Sequence, residues 1–577
     1  MQTMRFKLNL VILSFLILFS CKTSRVSNSG LADINPFQFN IQKSIICENA
    51  AVVSAHPLAS KVGLLILKQG GNAFDAAIAT QLALAVVYPN AGNIGGGGFL
   101  VARLQNESLI SIDYREMAPS KSHRDMYLDE KGNPLTHKSQ HGHLSSGVPG
   151  TVAGLFESLK YARLPMAKLI QPAIELAEKG FAISEKEARA FNALQDVLKK
   201  YNTVMPVFVK LIPWKAGDIL IQKDLANTLR RIQKNGSTGF YQGETAKLIV
   251  AEMQRADGII SLVDLQNYKA ISRKPHLFDY KGYTIVGMPM PSSGAVLNNQ
   301  MMKMLEDKPI ASYGFHSLQA VQLMIEVERR AYADRAEYMG DADFYTVPVN
   351  TLVNASYLKK RMENYDPNKA GDSKLINPGK MPILESEETT HLSVIDKEGN
   401  AVSVTTTLNN SYGSKMVVGG AGFFMNDEMD DFSIKPGIPN MYGAIGGEAN
   451  AIQPGKRMLS SMTPTIVLKD NKPFLVVGTP GGTTISTSVF QTILNIIDFG
   501  MSADDAVNKP KFHHQWLPDR VDVEKGFSMI LREQLKKMGY TIFEREAIGR
   551  TELIKVLPNG KFEAVADSRG DDAAEGY

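Results

Sequence analysis

Cysteine is nearly missing from this chain: two residues, Cys21 and Cys47, among 577. Two cysteines leave no disulfide framework. Charge of one sign is also lacking. The net charge is +4 and the sequence pI about 8.6, and no dense Lys/Arg block occurs. Spread over this length, so small an excess argues against nucleic acid as a partner. Heptads, internal repeats and low-complexity tracts are not found, which sets aside coiled coils, solenoids and compositional linkers. Beyond the first twenty residues there is no second long apolar run. What remains is an ordinary globular composition, 44% hydrophobic and 21% charged.

The N-terminus stands apart. Arg5 and Lys7 precede an apolar run over residues 8–19, followed by Ser20-Cys21. The run is short for a bilayer span and suits the core of a signal peptide. A cysteine directly after a small residue resembles a bacterial lipoprotein cleavage site. Residues 1–20 are therefore expected to be a signal peptide, Cys21 to carry lipid, and residues 21–45 to form a tether. The membrane would be contacted only through that lipid, and multiple acyl chains anchor stably where one does not. The protein would be exported, to the periplasm or to the outer membrane of a Gram-negative-type bacterium.

Periodicity predicts helices over residues 58–68 and 73–87, then the glycine-rich stretch 90–98 leading into a strand over 99–104 paired with 109–113. Four consecutive glycines imply close backbone approach or positive φ angles. A phosphate-binding loop needs a strand before its glycines and a helix after them. The order here is the reverse, so nucleotide binding is not expected. Helices are expected over 152–161, 169–179 and 317–338, the last alternating apolar and charged positions. Strands then dominate. Residues 391–395 and 401–405 form one hairpin, and 463–468 and 473–477 a second. Thr479-Pro480-Gly481-Gly482 leads into a helix over 486–498, whose N-terminus offers amide N–H groups to an anion.

The most telling stretch begins at Glu388-Thr389-Thr390-His391, between a breaker-rich segment (377–382) and the first hairpin. Thr-Thr at a strand start is ordinary β-propensity. It acquires another meaning if the chain is cut before it. The freed α-amine, with a pKa of about 7.7–8.0, can then act as base for the same residue's hydroxyl. His391 with Ser393 could suggest a catalytic triad, and His513-His514 a metal site. A terminal amine makes the first unnecessary, and adjacent strand histidines point to opposite faces. No metal and no organic cofactor are expected.

Several segments, in this order, resemble the γ-glutamyltranspeptidase (γ-glutamyltransferase) family: the 90–98 glycine loop, Asp113-Tyr114-Arg115-Glu116-Met117-Ala118-Pro119, Pro291-Ser292-Ser293-Gly294, the 389–413 run, Asn426-Asp427-Glu428-Met429-Asp430-Asp431-Phe432, Leu459-Ser460-Ser461-Met462, Pro480-Gly481-Gly482, 511–516 and the Gly576-Tyr577 end. The resemblance implies the fold of N-terminal-nucleophile hydrolases, an α+β four-layer αββα sandwich. It also implies self-cleavage between Glu388 and Thr389, giving a large subunit (46–388 after the tether) and a small one (389–577) within one catalytic domain. Thr389 would be nucleophile and base, Thr407 would position it, and Gly481 and Gly482 would form the oxyanion hole. Arg115, Ser460 and Ser461 would hold a substrate α-carboxylate; Asn409, Glu428 and Asp431 its α-amine. Tyr442, in the 436–447 loop, would belong to a lid. The implied substrates are glutathione and other γ-glutamyl compounds, with water, amino acids or dipeptides as acceptors. Alternatives within the fold are an acylase of β-lactam side chains and a polyglutamate hydrolase. An alternative of another class is a catalytically silent binding lipoprotein, against which intact Thr389, Thr407 and Gly481-Gly482 argue.

Overall fold

The computed structural model describes residues 31–32, 34–376, 389–435, 437 and 446–577. Two seven-stranded antiparallel sheets lie at its centre. One runs, edge to edge, through Ser44–Cys47, Phe562–Ala566, Glu552–Val556, Lys472–Gly478, Thr465–Lys469, Tyr283–Gly287 and His276–Tyr280. The other runs through Ala573–Gly576, Ala51–Ser54, Thr390–Ile395, Ala401–Thr407, Gly97–Arg103, Leu109–Asp113 and Ile271–Arg273. Both sheets mix strands from before and after position 389, so the two stretches share one core.

The layering follows from side-chain alternation along buried strands. Val53, Val101, Val476, Ile554 and Ala564 meet between the sheets. Their neighbours point outward. Val52, Leu100, Ala102, Leu392 and Val394 pack under helices that include Pro57–Lys68 and Ala73–Val87. Leu475, Val477, Leu553 and Val565 pack under helices that include Gly294–Leu305, Leu318–Tyr338 and Thr484–Ile497. Helix, sheet, sheet, helix is the expected αββα sandwich.

Both hairpins form, over Thr390–Ile395/Ala401–Thr407 and Thr465–Lys469/Lys472–Gly478. The first differs from expectation in one respect. Its alternation of polar and apolar residues does not separate water from core, because the strand is buried throughout. Leu392 and Val394 face the helices. Ser393 instead turns toward the other sheet, donating to Val476 O at 3.2 Å or Glu552 O at 3.1 Å. His391 also faces that sheet, its ring against Gly478.

The four glycines at 95–98 resolve in favour of close approach. None has a positive φ. A Cβ on Gly95 would lie 2.1 Å from Phe424 O, and one on Gly96 2.0 Å from Thr407 O. The loop is glycine because it is pressed against the end of the strand that carries Thr407. Cys21, Glu388 and Tyr442, to which the sequence assigns lipidation, cleavage and a lid, lie outside the described residues.

Candidate active site at Thr389

Thr389 sits at the head of a central strand, buried. The hairpin register pairs Thr390 with Thr406, so Thr389 and Thr407 end adjacent strands side by side. The neighbouring loop is fixed through Asn93. Its amide donates to Thr407 O at 2.9 Å and Ala91 O at 2.8 Å, while its Oδ1 accepts from Gly96 N at 3.0 Å and Thr151 Oγ1 at 2.6 Å. Thr407 Oγ1 accepts from Asn409 N at 2.8 Å. That contact holds Asn409 at φ +74, a left-handed conformation asparagine tolerates, with its Nδ2 donating to Asp427 O at 3.0 Å.

One cleft brings together Thr389, Thr407, Asn409, Arg115, Glu428, Asp431, Ser460, Ser461 and Gly482. Gly481 adjoins it, on the wall of a larger neighbouring cavity. Gly481 and Gly482 have φ +135 and +54 and lead directly into the helix Thr484–Ile497. Amides before a helix's first turn have no intrahelical acceptor and carry the positive end of its dipole.

Arg115 is fully buried, and its guanidinium is shared by Glu428, Asp431 and, at 3.6 Å, Glu116. Its remaining donors reach Met458 O and Leu459 O, each at 3.3 Å. Burial opposes its charge, but Glu428, Asp431 and Glu116 outweigh that and hold the proton more tightly. Glu116 and Glu428, both beside this guanidinium, influence each other's protonation. Burial pushes Glu116 up to about 7, and burial with repulsion from Glu116 and Asp431 keeps Glu428 well above the usual carboxylate range. Both oxygens of Glu116 and Oε2 of Glu428 lack a hydrogen bond among the described residues. The resemblance assigns Arg115 to a ligand carboxylate. In the fold both prongs of its fork already hold acids.

This crowding has a pH signature. An unfolded glutamate ionises near 4.5, whereas the folded Glu116 keeps its proton to about 7. Across that window the unfolded chain has lost a proton that the fold retains. The group's contribution to stability is therefore complete below about 4.5 and lost as pH rises through about 7. Glu116→Gln should flatten the decline in melting temperature over that window relative to the parent. An unchanged pH profile would place Glu116's proton elsewhere.

Ser460 and Ser461 are positioned by the Pro291-Ser292-Ser293-Gly294 segment. Ser460 N donates to Pro291 O at 2.9 Å, and Ser293 N and Oγ both donate to Ser460 O at 2.8 Å. Gly294 is required because a Cβ there would lie 2.1 Å from Thr463 Oγ1. A second guanidinium, missed from sequence, lines the cleft: Arg335, donating to Ser293 Oγ at 3.0 Å and Ser461 Oγ at 3.1 Å. By occupying the acceptor side of Ser461 Oγ, it leaves that hydroxyl's hydrogen free to turn elsewhere. The only sequence signal was a charge inside a helical pattern, which more often means a solvated face.

His391 is a strand contact. Its ring bridges Thr405 Oγ1 at 2.9 Å and Ser393 Oγ at 3.1 Å, and burial lowers its pKa to about 3, so it stays neutral. His513 and His514 diverge as expected of strand neighbours. The first meets Thr487 Oγ1 at 2.8 Å and Gln515 Oε1 at 2.9 Å, the second Asp519 Oδ1 at 3.3 Å.

A family model described as gamma-glutamyltranspeptidase matches residues 59–577. The chain is 47% identical to the glutathione hydrolase proenzyme of Escherichia coli (strain K12), over 94% of this chain and 95% of that one. It is 39% identical to the proenzyme of the same name from Bacillus subtilis (strain 168), over 92% of each. Among solved structures, the cephalosporin acylase of Bacillus halodurans superposes with a TM-score of 0.81 at 25% identity, covering 94% of this chain and 98% of that one. A gamma-glutamyltranspeptidase chain from Helicobacter pylori gives 0.56 at 42% identity, covering 59% of this chain and 97% of its own length. With the αββα fold and the residues gathered at Thr389, these matches establish that the chain belongs to the gamma-glutamyltranspeptidase family.

Proposed function

We propose that this protein is an autoprocessed threonine enzyme that cleaves γ-glutamyl amides such as glutathione and passes the γ-glutamyl group to water, an amino acid or a dipeptide. The observation that carries the reading is the cleft itself. A buried threonine, Gly482, two guanidiniums, carboxyls and two serines converge where a zwitterionic glutamyl end and its γ-carbonyl need them.

The chain is first cut between Glu388 and Thr389. The freed amine of Thr389 accepts the Oγ proton as Oγ attacks the γ-carbonyl, and Gly481 and Gly482 stabilise the oxyanion. One such donor contributes about 3–4 kcal/mol. The C–N bond breaks, and the departing amine takes the proton. Water or an acceptor amine then attacks the resulting ester, and Thr389 recovers its hydrogen. Splitting the reaction replaces one difficult step with two easier ones.

Recognition proceeds by ion exchange. The ligand's α-carboxylate replaces a protein carboxylate on Arg115, with help from Ser460 and Ser461. Its ammonium takes up the displaced acid beside Asn409, among Glu428 and Asp431. The exchange leaves the net charge of the buried site unchanged, avoiding the cost of an unpaired ion. The same polarity favours a γ-glutamyl group over the apolar side chain an acylase would take. The mature chain is anchored through lipid on Cys21, facing the periplasm or carried on the outer membrane.

Purified protein should give two bands on a denaturing gel and release glutamate from glutathione. Adding glycylglycine should yield a γ-glutamyl tripeptide. A single full-length band with no glutamate release would favour the silent binding protein instead.

A further inference from the structure

The irregular segment 202–218 carries an apolar surface that the reaction does not use. Val204, Met205, Val207, Leu211 and Ile212 are all exposed, Leu211 at 103% and Ile212 at 70%. No other large apolar side chain among the described residues is as exposed as Leu211. Scattered exposed apolar residues are normal, but five within nine positions form a patch that calls for a partner.

The segment is held in this shape by buried pins. Trp214 Nε1 donates to Phe208 O at 2.8 Å, and Gln195 Nε2 reaches the same carbonyl at 2.9 Å. Trp214 N donates to Asn192 Oδ1 at 2.8 Å, and Asn202 Nδ2 to Lys415 O at 2.8 Å. The Phe208 ring packs at a tilt against Phe191 and Phe424, with centroids 5.4 and 4.9 Å away. The backbone is fixed to the core; Val204 and Val207 rest partly against the 417–422 loop, while Leu211 and Ile212 stand out from the surface.

Two observations name the occupant. The patch is flanked by exposed Lys199, Lys200 and Lys215, of which Lys199 pairs with Asp196 at 3.6 Å, so its surroundings carry a small basic excess beside the apolar surface. It also lies where the chain enters the fold. Pro36 O accepts from Ala182 N at 3.0 Å, Ala182 pairs with Ile219, and Asp218 binds Lys210 Nζ at 2.7 Å, within the segment itself. Even fully extended, the chain from Cys21 to Leu31 reaches no more than about 35 Å. A lipid on Cys21 would therefore bring this side of the molecule to the bilayer.

We propose that the 204–212 loop is a membrane-docking surface: its aliphatic tip enters the interfacial region of an anionic bilayer, and the flanking lysines sit among the headgroups. The proposed anchor on Cys21 supplies direction, while the loop's own chemistry supplies the contact.

The test uses the full chain carrying Leu211→Cys labelled with a polarity-sensitive fluorophore. Cys47 is buried and stays unlabelled. Vesicles of phosphatidylglycerol and phosphatidylethanolamine should shift the emission to the blue and allow quenching by acyl-chain quenchers. Phosphatidylcholine vesicles or high salt should weaken both. With the label at Met205→Cys, adding Leu211→Asp and Ile212→Asp should lower the lipid-buried fraction on the order of tenfold. Turnover of γ-glutamyl p-nitroanilide should stay unchanged. Protein that floats with vesicles while the label stays in water would overturn the loop and spare the anchor. No flotation and no shift would overturn both. Self-association through the patch, without lipid burial, would also overturn the proposal. None of these outcomes bears on Thr389.

Discussion

Thr389→Ala is expected to remain a single uncut chain and to lose γ-glutamyl p-nitroanilide turnover by at least about a thousandfold. The argument is geometric before it is chemical. Thr389 is held at the end of a central strand, buried, with Thr407 beside it and the glycine loop pressed against the next strand. In the proposed mechanism, removing the hydroxyl removes the atom that attacks both the 388–389 bond and the substrate, while alanine fits the same backbone. The fold should survive, so melting temperature is the control. Thr389→Ser keeps the attacking oxygen and should still cut and turn over. An alanine variant that is cut at 389, or that retains turnover within tenfold of the parent, would remove Thr389 from the centre of the mechanism.

How much of this was legible in the sequence depends on whether a residue's role is local. The hairpins, the helix over 73–87 and the turn into Thr484–Ile497 are written in neighbouring residues, and they form nearly where periodicity places them. The glycines at 95–98 announced close approach but not their contact, because Thr407 O lies three hundred positions away along the chain. Leu318–Tyr338 shows the opposite failure. It alternates apolar and charged positions with helical period, a pattern that ordinarily leaves the charges in water, yet Glu326, Glu328, Arg329, Arg330, Asp334 and Arg335 are all buried. Arg330 and Arg329 pair with Glu326 within the helix, and Arg335 reaches the active cleft. A one-dimensional pattern cannot distinguish a charge facing water from one facing a buried partner on another element. Nine residues named through the resemblance line one cleft: Thr389, Thr407, Gly482, Arg115, Asn409, Glu428, Asp431, Ser460 and Ser461. The resemblance did not show that Arg115 would already be occupied.

That occupancy makes Arg115→Ala the second large effect, and one that separates binding from stability. Breaking a buried ion pair by deleting one partner typically costs about 3–5 kcal/mol, because the other charge is left stranded. Here the acids around Arg115 lose the guanidinium they share, and Asp431 is left beside two acidic neighbours, so the melting temperature should fall. The KM for γ-glutamyl donors should rise roughly a hundredfold or more, since a charge-assisted hydrogen bond is worth about 1.5–3 kcal/mol and two are lost. A double variant, Arg115→Met with Glu428→Gln, relieves the stranded charge without restoring a carboxylate binder. It should recover most of the melting temperature and none of the affinity. Arg115→Lys keeps the charge but not the fork, and should fall between parent and alanine in KM. The decisive comparison is KM measured in variants whose melting shows them folded. If the double variant binds γ-glutamyl donors as the parent does, Arg115 serves only to neutralise Glu116, Glu428 and Asp431, and the α-carboxylate must be held by Ser460, Ser461 and the cation of Arg335 behind them.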